Sequence, residues 1–150
     1  MEQPAGRKTF VSEEKDTLTA FRTPSSNGIY GFLAHNFLAG KHFFELKPDS
    51  RIEISDQDGQ QKKYEVKKIL EFQAKNPRSP RSDFIDLKSG ETISATALFK
   101  KIYTGSHRLV LQTCISKEGN DEWGRCFLIA EPQSERDASD KTGRYKKQPV

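Results

Sequence analysis

Leu109-Val110-Leu111-Gln112-Thr113-Cys114 and Arg125-Cys126-Phe127-Leu128-Ile129-Ala130 are the two stretches on which the fold turns. Each is a short, largely apolar run, too brief for a typical globular helix, and reads as a buried strand. The polar segment Ser116 to Glu122 lies between them as a loop, so a hairpin sets the two runs side by side. Working outward, Ile29 to Ala34, Arg51 to Ser55, Lys63 to Phe72 and Phe84 to Leu87 have the same strand character. Ile52 and Ile54 alternate cleanly, whereas Tyr64, Val66 and Ile69 change parity, which predicts a bulge or bend. Asp58-Gly59 between two β-rich runs predicts a hairpin turn.

Two segments read as helical. Thr92 to Tyr103 carries Ala95, Leu98, Phe99 and Ile102 at the spacing of an amphipathic helix and stops at Thr104-Gly105. Phe37 to Leu46 holds a short turn or helix despite Gly40. Many short strands with one or two small helices give a mainly β fold, an antiparallel barrel or sandwich with inserted helices. The compact unit is expected over 8–132. The segment 1–7 and the polar tail 133–150 are expected to be flexible, since from Glu131 onward only Ala138, Tyr145 and Val150 are apolar.

Composition narrows the function. The 150 residues fit one domain, and fifteen aromatic side chains supply a core. No apolar run is long enough for a membrane helix or a secretory signal, and two cysteines cannot build a disulfide scaffold or a four-thiolate zinc site. The net charge of +4 is concentrated between Lys62 and Arg81, with seven basic and two acidic residues. Such a strip attracts phosphates, but without interleaved aromatic residues it reads as a solvated strand face.

Reactive side chains are few. Cys114 ends an apolar strand beside a polar segment, while Cys126 lies inside its strand. Alone, each reads as an inert buried thiol. A disulfide between them is possible unless they face opposite sides of the sheet. Of three histidines, His35 sits where a strand meets a loop, and His42 and His107 lie in polar surroundings. Imidazole both accepts and donates a proton near neutral pH, which a thiol nucleophile requires. Arg125 follows Cys114 by 11 residues, so the hairpin brings a guanidinium to the thiol. There it favours thiolate and supports an oxyanion through directed N–H donors. Nucleophile, proton shuttle and oxyanion support are the parts of acyl transfer.

These residues resemble sortases, the cysteine transpeptidases that attach proteins to bacterial surfaces, with affinities to class D, class E/F or another atypical type. The resemblance spans Gly28 to Glu131. It rests on Ala34-His35-Asn36-Phe37-Leu38-Ala39-Gly40, Phe43-Phe44-Glu45-Leu46, Tyr64-Glu65-Val66, Leu111-Gln112-Thr113-Cys114, a tryptophan-containing loop and Arg125. It implies a closed, eight-stranded β-barrel with one or two short inserted helices. It also implies Cys114 as nucleophile, His35 as general acid/base, Arg125 as substrate and oxyanion contact, and Thr113 at the border of the substrate groove. Val110 and Ala34 depart from the residues frequent in relatives and remove no reactive group.

The implied reaction cleaves a C-terminal sorting signal, LPxTG-like, at a Thr–Gly-type bond. It proceeds through a thioester and transfers the acyl group to a primary amine from a cell-wall precursor or a pilin lysine. The partners are a protein or peptide carrying that signal and the amine, with no nucleic acid. No cofactor is implied, and no acidic cluster matches the calcium site of some relatives, so no metal is expected. Membrane association would run through an anchor outside this chain, at the extracytoplasmic face or cell surface. The competing readings are a thiol endopeptidase or hydrolase on the same fold, a catalytically silent β-barrel binding module, and a nucleic-acid binder using Lys62 to Arg81.

Overall fold

The computed structural model describes residues 11–20, 28–55, 57–79 and 81–133. The strands are β1 (Thr19–Ala20), β2 (Tyr30–Leu33), β3 (Arg51–Ser55), β4 (Gln61–Ala74), β5 (Phe84–Asp86), β6 (Thr92–Ile93), β7 (Leu109–Lys117) and β8 (Asn120–Pro132). A 3-10 helix, Ala39–Glu45, follows β2, and one α-helix, α1 (Ala95–Ile102), precedes β7. All strands join one sheet in the order β1-β2-β7-β8-β4-β5-β6, with β3 on β4 outside that path. The β2–β7 pair is parallel and the others are antiparallel.

The expected mainly β fold is present, but closure of the barrel is not confirmed. Eight strands are present, but among the described residues the hydrogen-bonded path ends at β1 and β6 instead of returning on itself. Both end strands are only two residues long. After β6 the chain leaves the sheet, because Ser94 caps a helix by accepting the Ala97 N–H at 3.1 Å. This start also corrects the expected helix: Thr92 and Ile93 pair with β5, and α1 begins only at Ala95. Lys100 and Lys101 in its last turn complement the negative end of the helix dipole.

Helix α1 covers one face of the sheet. Leu98 and Ile102, both fully buried, pack with Phe72, Val110, Phe127 and Ile129. Burial of such a side chain is worth about 1.5–3 kcal/mol. The other face carries Leu111, Cys126 and Leu128, covered by Ala39 and Phe43 of the 3-10 helix. Tyr64, Val66, Leu109 and Ala130 form an adjoining cluster. A sheet buried on both faces explains why β7 and β8 read as nearly continuous apolar runs.

The predicted bulge lies in β4, where the register with β8 shifts between Val66 and Lys68. The predicted hairpin joins β3 to β4, pairing Ser55 with Gln61, and Gly59 adopts the positive φ of 82° that its turn requires. The polar segment after Cys114 is not the expected loop. β7 and β8 continue through it as a ribbon, with Lys117 paired to Asn120 and a shift between Ile115 and Lys117. Segment 1–7 and all of 133–150 except Gln133 lie outside the described residues. The Gln133 N–H still donates to Lys63 O at 2.9 Å. No described helix is long and apolar enough to cross a membrane.

Candidate active site

Three adjacent strands bring His35, Cys114 and Arg125 to one place. In the antiparallel β7–β8 ladder, Gln112 pairs with Phe127 and Cys114 with Arg125. Side chains two residues apart share a face, so all four point to the same side. On the other flank, parallel β2 pairs Leu33 with Gln112. The Ala34 N–H continues this contact by donating to Gln112 O at 3.2 Å. His35, two residues beyond Leu33, thus comes abreast of Cys114, two beyond Gln112. The three residues line a single cavity of about 700 Å³, together with Asn36, Arg78 and Glu122.

Backbone contacts hold each member. The His35 carbonyl accepts the N–H groups of Leu38 and Gly40, each at 3.0 Å. Its half-buried ring stacks on Phe37, with centroids 4.9 Å apart and planes at 18°. Arg125 Nη1 donates to Glu122 O at 2.9 Å and Gly124 O at 3.0 Å, and Nη2 to Pro77 O at 3.4 Å. Its guanidinium lies 5.8 Å from the Phe84 ring centroid. Of its five N–H groups, these bonds engage three, leaving Nε–H and one on Nη2 uncommitted among the described residues.

Cys114 is partly exposed and its thiol is free, as is that of buried Cys126. Burial raises the Cys114 thiol above its ordinary pKa. The Arg125 cation opposes that rise, and the carboxylates of Glu122 and Asp121 add to it. Cys114 is accordingly held toward its neutral thiol, with a nearby cation that favours the ionised form. Cys126 pairs with Thr113, one residue out of step with Cys114, which puts the two sulfurs on opposite faces and removes the disulfide alternative.

Thr113 borders the cavity, yet its side chain is buried and its hydroxyl donates to Ala34 O at 2.6 Å. The other two histidines lie elsewhere. His42 meets Glu45 on the surface at 3.4 Å, and His107 bridges the Tyr64 hydroxyl at 2.8 Å and Gly28 O at 2.6 Å. The basic side chains between Lys62 and Arg81 are exposed. Among the described residues, no three His, Cys, Asp or Glu side chains gather as metal ligands.

Several contributors were not singled out from sequence. Asp121 accepts Ser116 Oγ at 2.9 Å through Oδ1, and its main-chain carbonyl accepts Asn36 Nδ2 at 3.1 Å. This ties the His35 segment to the β7–β8 ribbon. Tyr103, just beyond α1, donates to Gln112 Oε1 at 2.6 Å, beneath the cavity, and burial drives its phenol pKa far upward. The signal available for Asp121 and Asn36 was only their closeness in sequence to Cys114 and His35. Nothing in the sequence paired Tyr103 with Gln112.

No protein-family model matches the sequence, and comparison with curated proteins finds no match. The solved structures that the fold resembles are sortase C structures. Sortase C-1 from Actinomyces oris is 17% identical, with a TM-score of 0.46 over 71% of this chain and 49% of that one. Sortase C1 from Streptococcus suis is 13% identical, with a TM-score of 0.47 over 72% and 50%. Sortase C from Clostridium perfringens, solved with the C-terminal cell wall sorting motif, is 14% identical, with a TM-score of 0.45 over 72% and 48%. The chain spans about half the length of these structures.

Proposed function

We propose that the chain is a sortase-type cysteine transpeptidase, with Cys114 as nucleophile, His35 as general acid/base and Arg125 as oxyanion and substrate contact. The observation that carries this reading is the register of β2, β7 and β8, which sets the three residues abreast on one face of one cavity. Acyl transfer needs those three functions within reach of a single carbonyl carbon.

In the first step the Cys114 thiolate attacks the carbonyl of a Thr–Gly-type bond in a C-terminal sorting signal. The carbonyl π electrons move to oxygen, where the uncommitted N–H groups of Arg125 stabilise the developing charge. Collapse breaks the C–N bond, His35 as imidazolium protonates the departing amine, and a thioester remains on Cys114. A primary amine then attacks the thioester, and His35 takes up its proton as the C–S bond breaks. Thiolate and imidazolium must coexist for the first step. Because Cys114 rests above its ordinary pKa, the reactive form is a minority and turnover is slow. The setting that fits this reaction is the extracytoplasmic face of a bacterial membrane, with the amine from a cell-wall precursor or a pilin lysine.

The test is incubation with a library of C-terminal sorting peptides and a primary amine, followed by mass spectrometry of the products. Ligated peptide is expected, and it should vanish in Cys114→Ala. Cleavage with water as the only acceptor would assign the same site to a hydrolase. Absence of both products across the library would contradict an acyl-transfer role.

A further inference from the structure

We propose that Thr113 and Gly40 form a buried clasp that positions His35 alongside Cys114. The idea deepens the transpeptidase reading and rests on it. Thr113 precedes Cys114 in the chain, and Ala34 precedes His35. The 2.6 Å bond from Thr113 Oγ1 to Ala34 O therefore links the residue before the nucleophile to the residue before the proton shuttle. Thr113 is 3% exposed and Ala34 5%, so neither group has ready access to water as an alternative partner.

Strand alternation turns the Thr113 side chain away from the face that carries Cys114. It points toward the cluster of Ala34, Ala39, Leu111 and Cys126. A hydroxyl in such surroundings is costly unless bonded, and the Ala34 carbonyl supplies its acceptor. With that bond made, Thr113 is a positioning residue whose hydroxyl proton is committed to the Ala34 carbonyl.

Gly40 closes the clasp from the third side. Its N–H donates to His35 O at 3.0 Å. A Cβ built on it would overlap Thr113 Oγ1 and stand 2.7 Å from His35 O and 2.9 Å from Ala34 O. Only a residue without a side chain lets the 3-10 helix approach the Ala34–His35 peptide this closely. The Gly in Ala39-Gly40 is thereby explained by what it touches.

The test compares Thr113→Val, Thr113→Ser and Gly40→Ala in the full chain by NMR of the three histidine imidazole rings, with His42 and His107 as internal controls. The expected result is displaced His35 ring resonances in Thr113→Val and Gly40→Ala, unmoved His42 and His107, and a near-native spectrum for Thr113→Ser. Thr113→Ala replaces Val if that variant does not fold. A paired measurement is iodoacetamide alkylation of Cys114 against pH. The two displacing variants should change the rate near neutrality in the same direction as His35→Ala, by up to about tenfold, the scale of one lost hydrogen bond. His35 resonances that stay native in Thr113→Val, or in Thr113→Ala, overturn the clasp. An alkylation profile that His35→Ala leaves unchanged instead overturns the assigned role of His35, a separate result.

Discussion

Cys114 and Arg125 are direct cross-strand partners in the β7–β8 ladder, so the thiol and the guanidinium share one face by backbone register. Arg125 is further fixed by three backbone carbonyls and by Phe84. A cation held this way lowers the cost of thiolate without having to reorganise when the thiol ionises.

The charges around Cys114 give a signed prediction. Arg125→Met removes the opposing cation and should raise the thiol pKa further. Asp121→Asn and Glu122→Gln each remove a carboxylate that disfavours thiolate, and should lower it. Alkylation rates of Cys114 measured against pH will show the midpoint moving up in the first variant and down in the other two. The opposite order would mean that these charges do not govern the thiol.

In the unmodified protein the alkylation midpoint should lie above the ordinary thiol value of about 8.5, because burial is the largest influence on Cys114. A midpoint below that value would show that burial does not govern the thiol, and one below about 7 would show a resting thiolate at neutral pH.

Arg125→Lys keeps the charge and loses the planar fork. The Nε–H and Nη2–H donors disappear together, so acyl transfer should fall by roughly 10²-fold, the scale of a lost oxyanion donor. Full activity in this variant would place Arg125 outside the chemistry.

Cys126 supplies a control within the same molecule. Burial, with Glu71 adding, pushes its thiol up to about 12, so folded protein should take up one alkyl group, on Cys114. A group held neutral in this way stabilises the fold fully below its unfolded pKa of about 8.5. That contribution fades as pH rises through about 12. Denaturant unfolding across this window should show a shallower pH slope in Cys126→Ala than in the unmodified chain. Equal slopes would contradict the assignment.

The helix that covers the site face has two separable contributions. Leu98→Ala empties a fully buried position and should cost about 2–5 kcal/mol. Ser94→Ala removes the N-cap bond and should cost about 1 kcal/mol. Both are measured by chemical denaturation, and equal costs would mean that α1 is not packed as described.

Much of the sheet was legible because its runs carry period-two or continuous apolar patterns. Arg51–Ser55 has the predicted bounds, and the parity change at Tyr64, Val66 and Ile69 marks a real bulge. β1 was not legible, since two residues hold no periodicity. Ser116 to Glu122 reads as a loop because an exposed ribbon has no buried face to pattern it, yet the backbone pairs through to Lys117 and Asn120. Likewise, no local signal tells a closed barrel from a sheet whose end strands stop after two residues. His35, Cys114 and Arg125 could be named as types suited to one reaction. Their convergence depends on the parallel β2–β7 pairing, a long-range contact that nothing near His35 announces. Thr113 shows the same limit: its place beside Cys114 was visible, but its bond to Ala34 was not.

The central claim is that Cys114 carries the acyl group with help from His35 and Arg125. Intact-mass spectrometry after incubation with C-terminal sorting peptides tests it most directly. The account predicts a thioester adduct that maps to Cys114, is absent in Cys114→Ala and is strongly reduced in His35→Ala. An adduct that persists in Cys114→Ala, or that maps to another residue, would contradict it.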